Sequence, residues 1–331
     1  MSSTMLTDDQ DHAMQAGKSG KQSRLPYVGF RAAESLVRVL PRRTSYFLAA
    51  RLADAMSIAR PHALDGLRAN LMHVAPQLSK RELRRLTRRN AEHLARSWVD
   101  VMELRYRWKD LWGRLDIENV ENFTNAVDRR KGVVVLSMHF GAWEEGLAAW
   151  NTQLPGRMAL LAELLRPQAL HDRIVGAREA AGVQVFPVDL AALRNREDPA
   201  ARHRASMNLR GVMKLLREGG IIAIAIDRDI VGNGEPFPFF GGTISVPVGA
   251  VEIAMRTGAA IVPTVLVRNG LRIIGRPFPE IPYDRDKPVI EEARRVISTV
   301  LPMFEEVIRS NPEQWHVMDP LWNDMDREQQ Q

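Results

Sequence analysis

Cysteine is absent from the 331 residues, which removes disulfides, thiolate metal ligands and a cysteine nucleophile. No apolar run approaches the ~20 residues that a helix needs to cross a bilayer. The first 23 residues are polar, carry Asp8, Asp9 and Asp11 and have no apolar centre, so they read as a loose tail rather than a secretory signal or an Arg-rich transit peptide. The eight histidines form no His-x-x-x-His pair, which disfavours a metal centre of the zinc-protease sort. A Gly-x-Ser-x-Gly nucleophile elbow is also missing. What is present, 45% apolar and 26% charged residues, suffices for a sizeable buried core.

Charge is spread unevenly. Lys18 to Lys109 hold 20 Lys/Arg against 7 Asp/Glu, whereas the whole chain nets only +6, so the remainder is acidic. Such segregation points the first third at an anionic surface, a membrane or a nucleic acid. Between Val28 and Ile58 the apolar residues Phe30, Leu36, Val37, Leu40, Phe47, Leu48 and Leu52 recur at helical spacing, broken near Pro41. Arg31, Arg38, Arg42, Arg43 and Arg51 are interleaved with them. One reading is a helix pair in the headgroup plane of a membrane; the other is a packed hairpin with a solvated basic face. Ser79 and Glu82 form a capping box that opens a long helix to about Arg107, with Arg81, Arg84, Arg85, Arg88 and Arg89 in its first turns. No aromatic residue stands between Arg81 and Arg96, so nucleic acid ranks below a membrane surface as partner.

After Lys131 short apolar runs alternate with helical stretches: Val133 to Ser137, Met158 to Leu161, Val183 to Pro187, Ile221 to Ile226 and Ile261 to Val267. This alternation predicts an α/β fold, with a central mixed, largely parallel sheet flanked by helices; the amino-terminal helical region before it is expected to face a membrane on its basic amphipathic pattern, with the packed hairpin as the alternative. The expected divisions are a polar tail over 1–25, a basic amphipathic helical region over 26–110, an α/β core over 111–320 and a polar tail over 321–331. Asn195 to Ala205, polar and Arg-rich, reads as an exposed loop.

The first of these runs ends in Ser137-Met138-His139-Phe140-Gly141-Ala142-Trp143-Glu144-Glu145. Reactive groups gather at the carboxyl ends of strands in open α/β sheets, and His139 stands there. On a continuous helix His139 and Glu144 would lie about 140° apart, so they meet only if the chain turns between them, which Gly141 permits. A carboxylate on one imidazole nitrogen fixes the tautomer and frees the other to take a proton from a hydroxyl. By itself His-x4-Glu fits a structural histidine as well as a base.

Three ordered blocks narrow the reading: His139 to Glu144; Asp227-Arg228-Asp229 after an apolar strand, followed by Phe239-Phe240-Gly241-Gly242 and Val246-Pro247-Val248-Gly249; and Pro312-Glu313-Gln314-Trp315. With Leu67-Arg68-Ala69-Asn70-Leu71, they make residues 26 to 320 resemble the bacterial lipid A biosynthesis acyltransferases and the phosphatidylinositol mannoside acyltransferases. The resemblance implies transfer of a fatty acyl group from a thioester, acyl-CoA or acyl carrier protein, to a sugar hydroxyl of a membrane glycolipid, without a cofactor. It implies His139 as base, Glu144 as its orienting carboxylate and Asp227 as a further carboxylate. With no cysteine and no serine elbow, direct attack by the acceptor is simpler than an acyl-enzyme. Arg166, in Glu163-Leu164-Leu165-Arg166-Pro167, Arg178 and Arg228 are candidates for holding substrate phosphates, each with an ion pair or a solvated charge as the alternative.

Ala142 departs from the family's usual asparagine, and the hydrophobic amino-terminal anchor of the lipid A branch is missing. Peripheral attachment to the cytoplasmic face of the inner membrane, and a mannoside-type acceptor, are therefore expected. Two rival readings remain open: an esterase or thioesterase using the same His-Glu pair, and a non-enzymatic basic protein that binds membranes or nucleic acid.

Overall fold

A computed structural model describes residues 25–154, 156–188, 199–230 and 232–322. The polar tails expected at 1–25 and 321–331 lie outside these residues, apart from Leu25, Leu321 and Trp322. Among the described residues four α-helices come first: α1 (Leu25–Val39), α2 (Arg42–Ala59), α3 (Asp65–Val74) and α4 (Lys80–Arg107). Pro41 separates α1 from α2, as its missing N–H and fixed φ require. The capping box at the start of α4 is complete: the Ser79 hydroxyl accepts from the Glu82 N–H while the Glu82 carboxylate accepts from the Ser79 N–H.

The α/β part continues with β1 (Leu115–Ile117), α5 (Glu121–Asp128), β2 (Val133–Ser137), α6 (Trp143–Gln153), β3 (Met158–Glu163), α7 (Gln168–Ala180) and β4 (Gln184–Val188). It ends with α8 (Pro199–Arg217), β5 (Ile221–Ala225), the hairpin β6 (Glu235–Phe239) and β7 (Gly242–Val246), α9 (Gly249–Thr257), β8 (Ala260–Asn269), β9 (Arg272–Pro277) and α10 (Val289–Ser310). Seven strands make one sheet in the order β1-β9-β8-β2-β5-β3-β4. It is parallel from β8 through β4, and the antiparallel step between β8 and β9 makes it mixed. The expected strands correspond to β2, β3, β4, β5 and β8. The stretch expected as a loop at Asn195 to Ala205 is helical from Pro199 onward: proline suits a first helical position, and the alanines and arginines after it favour helix.

Alternation along the buried strands divides the core in two. Val134, Leu136 and Ile222 pack on one face with α8, α9 and α10. Val133, Val135 and Ile221 pack on the other with α5, α6 and α7. The amino-terminal helices are tied to this core by a buried ionic network. Arg268 at the end of β8 bonds Asp100 of α4 and the Tyr46 hydroxyl of α2, and Arg42 of α2 contacts Glu103 of α4 and Glu145 of α6. Arg114 reaches the same Glu145 carboxylate at 2.7 Å. Three cations meet three carboxylates, which is how buried charge is tolerated.

Candidate active site

β2 and β5 are parallel neighbours in the register Ser137↔Ala225. Residues two steps beyond each strand end, His139 and Asp227, therefore stand side by side at the carboxyl edge of the sheet. The His139 Nδ1–H meets Asp227 Oδ1 at 2.8 Å, and the His139 backbone N–H donates to Oδ2 at 2.9 Å. Trp315 Nε1–H adds a third bond to Oδ2 at 2.9 Å. Asp227 is fully buried, which raises its carboxyl pKa, but the His139 charge and these hydrogen bonds outweigh burial and hold it below the usual carboxylate range. A carboxylate can only accept, so Nδ1 carries a proton, and in the neutral ring Nε2 is the nitrogen left with a lone pair. The His139 side chain remains 27% exposed.

The acidic companion of His139 is thus Asp227, not Glu144. The turn at Gly141 (φ 64°) presses the backbone against β8, where an added Cβ would lie 2.0 Å from the Leu266 carbonyl oxygen. The Ala142 N–H donates to that same carbonyl at 2.8 Å. From this point α6 runs over the sheet with Glu144 aimed at α7, where Arg178 takes it in a two-pronged ion pair, Nε to Oε2 at 3.0 Å and Nη2 to Oε1. Arg178 is buried and lies over the Trp143 ring at 5.5 Å. It is committed to Glu144, which corrects its expected role as a free phosphate holder.

Arg228 turns to Asp319, and Asp229 holds the following turn by accepting from the Gly232 and Gly234 N–H groups at 2.8 Å and from the Ser245 hydroxyl at 2.6 Å. The three residues expected as one charged block therefore do three different things. Glu163 ends β3 at the same carboxyl edge, half-buried, and Arg166 stands exposed just beyond it.

Sequence reasoning gave Trp315 no role. Its backbone forms a bridge with Phe140, and the flanking His316 N–H donates to the His139 carbonyl at 2.8 Å, so the Pro312–Trp315 block braces the histidine turn as well as its aspartate. The block's place in the three-part signature was the only signal. His316 itself is buried with Nδ1 on Asn90 Oδ1 at 3.1 Å, and burial keeps its pKa well below the ordinary histidine value.

A narrow apolar cavity of about 90 Å³ lies under α6 beside His139. Ser137, His139, Trp143 and Ala225 line its end at the strand termini; Ala223, Leu160, Met158 and Trp150 line it deeper. The room comes from alternation in β5, which presents Ala223 and Ala225 to this face and Ile222 and Ile224 to the other. On the molecule's surface, α1, α2 and α4 enclose an apolar groove of about 430 Å³ rimmed by exposed Leu36, Leu48, Leu52, Met56 and Trp98. Among the described residues no helix is long and apolar enough to cross a membrane.

Residues 27–324 match the family described as bacterial lipid A biosynthesis acyltransferase. The phosphatidylinositol mannoside acyltransferase of Mycolicibacterium smegmatis is 26% identical over 89% of this chain and 90% of its own length. The corresponding Mycobacterium tuberculosis protein is 25% identical over 70% of this chain and 68% of its own. The Escherichia coli lipid A biosynthesis palmitoleoyltransferase is 26% identical over 61% and 60%. The crystal structure of a 1-acyl-sn-glycerophosphate acyltransferase from Thermotoga maritima covers 82% of this chain and 98% of its own, with a TM-score of 0.36 and 13% identity.

Proposed function

The chain belongs to the bacterial lipid A biosynthesis acyltransferase family, and on that premise we propose that it moves a fatty acyl group from an acyl thioester to a sugar hydroxyl of a membrane glycolipid, with His139 as general base. The observation that carries this reading is the imidazole held by a buried, ionised Asp227 at the mouth of an apolar cavity. In the proposed step the acceptor hydroxyl gives its proton to His139 Nε2 as its oxygen attacks the thioester carbonyl. The carbon–sulfur bond then breaks, and the imidazolium returns that proton to the leaving thiolate. Asp227 stabilises the imidazolium in between. Glu144 and Arg178 fix the first turn of α6, and with it Trp143 at the cavity mouth.

The donor is acyl-CoA or an acyl carrier protein, and Glu163 and Arg166, at and just beyond the carboxyl end of β3, are the proposed contacts for its polar part. A mannoside-type acceptor is favoured because the alignment with the Mycolicibacterium mannoside acyltransferase spans 89% of this chain, against 61% for the palmitoleoyltransferase. The test is product analysis by mass spectrometry after incubation with acyl-CoA or acyl carrier protein and either a mannosylated phosphatidylinositol or a lipid A precursor. An acylated mannolipid is the expected product. Release of free fatty acid with no acylated glycolipid would instead establish a thioesterase.

The cavity under α6 is the proposed site of the acyl chain. Ala223→Leu should fill it midway, since Ala223 faces Val135 and Leu160 in register. Leucine adds three carbons, and losing room for three methylenes is worth about 2.4 kcal/mol, so kcat/KM for long-chain donors should fall roughly fiftyfold relative to short-chain donors. Equal effects on all chain lengths would place the chain elsewhere.

Peripheral attachment at the cytoplasmic face of the inner membrane is proposed through the apolar rim of α1 and α2 together with the basic start of α4, where Arg84, Arg85, Arg88 and Arg89 are all exposed. Replacing these four by Gln should weaken binding to anionic liposomes at low salt, by about 1 kcal/mol per residue at the surface, while leaving transfer from a short soluble donor near normal. An equal fall in both would move the arginines into the active site.

A further inference from the structure

The amino edge of the parallel sheet, opposite His139, carries a second concavity that the acyl-transfer reaction does not use. It has a volume of about 640 Å³, within the range of small-ligand sites. Three strand approaches build it: the turn before β2, the end of α8 before β5 and the end of α9 before β8. Each approach is cationic or borders a cation. The lining holds Arg129, Arg130, Lys131, Arg217 and Arg285, against the single carboxylate of Glu280.

Glu280 is already taken by Arg129, and Arg285 is steadied by donating Nε–H to the Met255 carbonyl at 2.9 Å. The Arg285 guanidinium also lies over Gly258, where a Cβ would come within 3.3 Å of it. Arg130 is held in the left-handed region, φ 54°. For Arg130, Lys131 and Arg217 no carboxylate lies in ion-pair contact among the described residues. Like charges gathered in one concavity repel each other unless an anion enters.

We infer that this cavity binds a soluble anion carrying several phosphate groups, at a site separate from the acyl-transfer centre. Guanidinium forks and a lysine converging from several elements suit phosphate oxygens. Location argues for a soluble ligand over a lipid headgroup. Helices α1 and α2 pack near Leu271, past the far end of β8, and the ten residues of β8 separate that end from the cavity by about 30 Å.

Titration calorimetry with inorganic tripolyphosphate on the full chain, at physiological ionic strength, tests the inference. Saturable binding near one per chain is expected, weakened at least about tenfold in the double variant Arg130→Gln, Arg217→Gln. The control Arg272→Gln, Arg276→Gln removes the same charge where each arginine already has a carboxylate partner, Asp116 and Glu118, and should bind like the wild type. Lys131→Gln, a lone exposed position, provides a second variant should the double variant fold poorly, and it too should weaken binding. Absence of saturable binding, or equal loss in the control, would overturn the site. Sedimentation with vesicles containing a phosphorylated phosphatidylinositol should be unchanged by the double variant; a parallel loss there would make the ligand a headgroup and overturn the soluble-anion assignment.

Discussion

Replacing His139 by alanine is expected to lower acyl transfer by about 10² to 10⁴, the usual worth of a positioned base, with the fold intact. The side chain is partly exposed, so its removal opens no sealed core cavity. Asp227→Asn should cost a similar factor for a different reason. Asp227 accepts three N–H donors, two on Oδ2 and one on Oδ1. An asparagine has one oxygen and one amide nitrogen. Its oxygen satisfies the pair from Trp315 and the His139 backbone, and its NH₂ then faces Nδ1, which must give up its proton and accept. The imidazole is driven to the tautomer protonated on Nε2, and the base is lost. The double variant should be little worse than either single one, because both remove the same function. Steady-state rates with circular dichroism on all three check this; wild-type turnover in either single variant would remove the pair from the mechanism.

The second large effect concerns stability. Arg268→Met should destabilise the protein by about 3–5 kcal/mol, the cost of leaving buried charge without its partner. Arg268 is 2% exposed and neutralises Asp100, itself 1% exposed, where α4 meets β8. Tyr46 of α2 bonds both groups, so the loss should also loosen the amino-terminal helices. Arg272→Ala, which breaks a solvent-screened surface pair with Asp116, should leave the denaturation midpoint close to that of the wild type. Urea denaturation of the two variants gives the comparison. Equal midpoints would mean that the network contributes no more than a surface pair.

These two sites show where local sequence stops being informative. The strand before His139 was legible because four consecutive apolar residues, three of them β-branched, read as a buried strand. The capping box of α4 was legible because its partners are three residues apart. Strands β1, β6, β7 and β9 were not expected. Three-residue β1 is too short for a pattern, and β6, with Pro236 and Pro238, breaks the usual strand composition and is tolerated only as part of a two-stranded ribbon.

The partners of the site follow the same division. Glu144 is five residues from His139 and was the natural companion by proximity along the chain, yet Asp227, 88 positions away, is the residue that meets it. Trp315 reaches the same aspartate across 88 positions, and Arg268 reaches Asp100 across 168.

The sequence by itself determined the layered α/β architecture, the basic helical first third and the histidine at a strand end, because periodicity, caps and composition act over a few residues. Only the tertiary structure decided which acid serves the histidine, which arginines are neutralised and where a narrow apolar cavity opens beside it. Those outcomes depend on strand order and register, and hydrogen bonds between distant segments are fixed only when the sheet assembles.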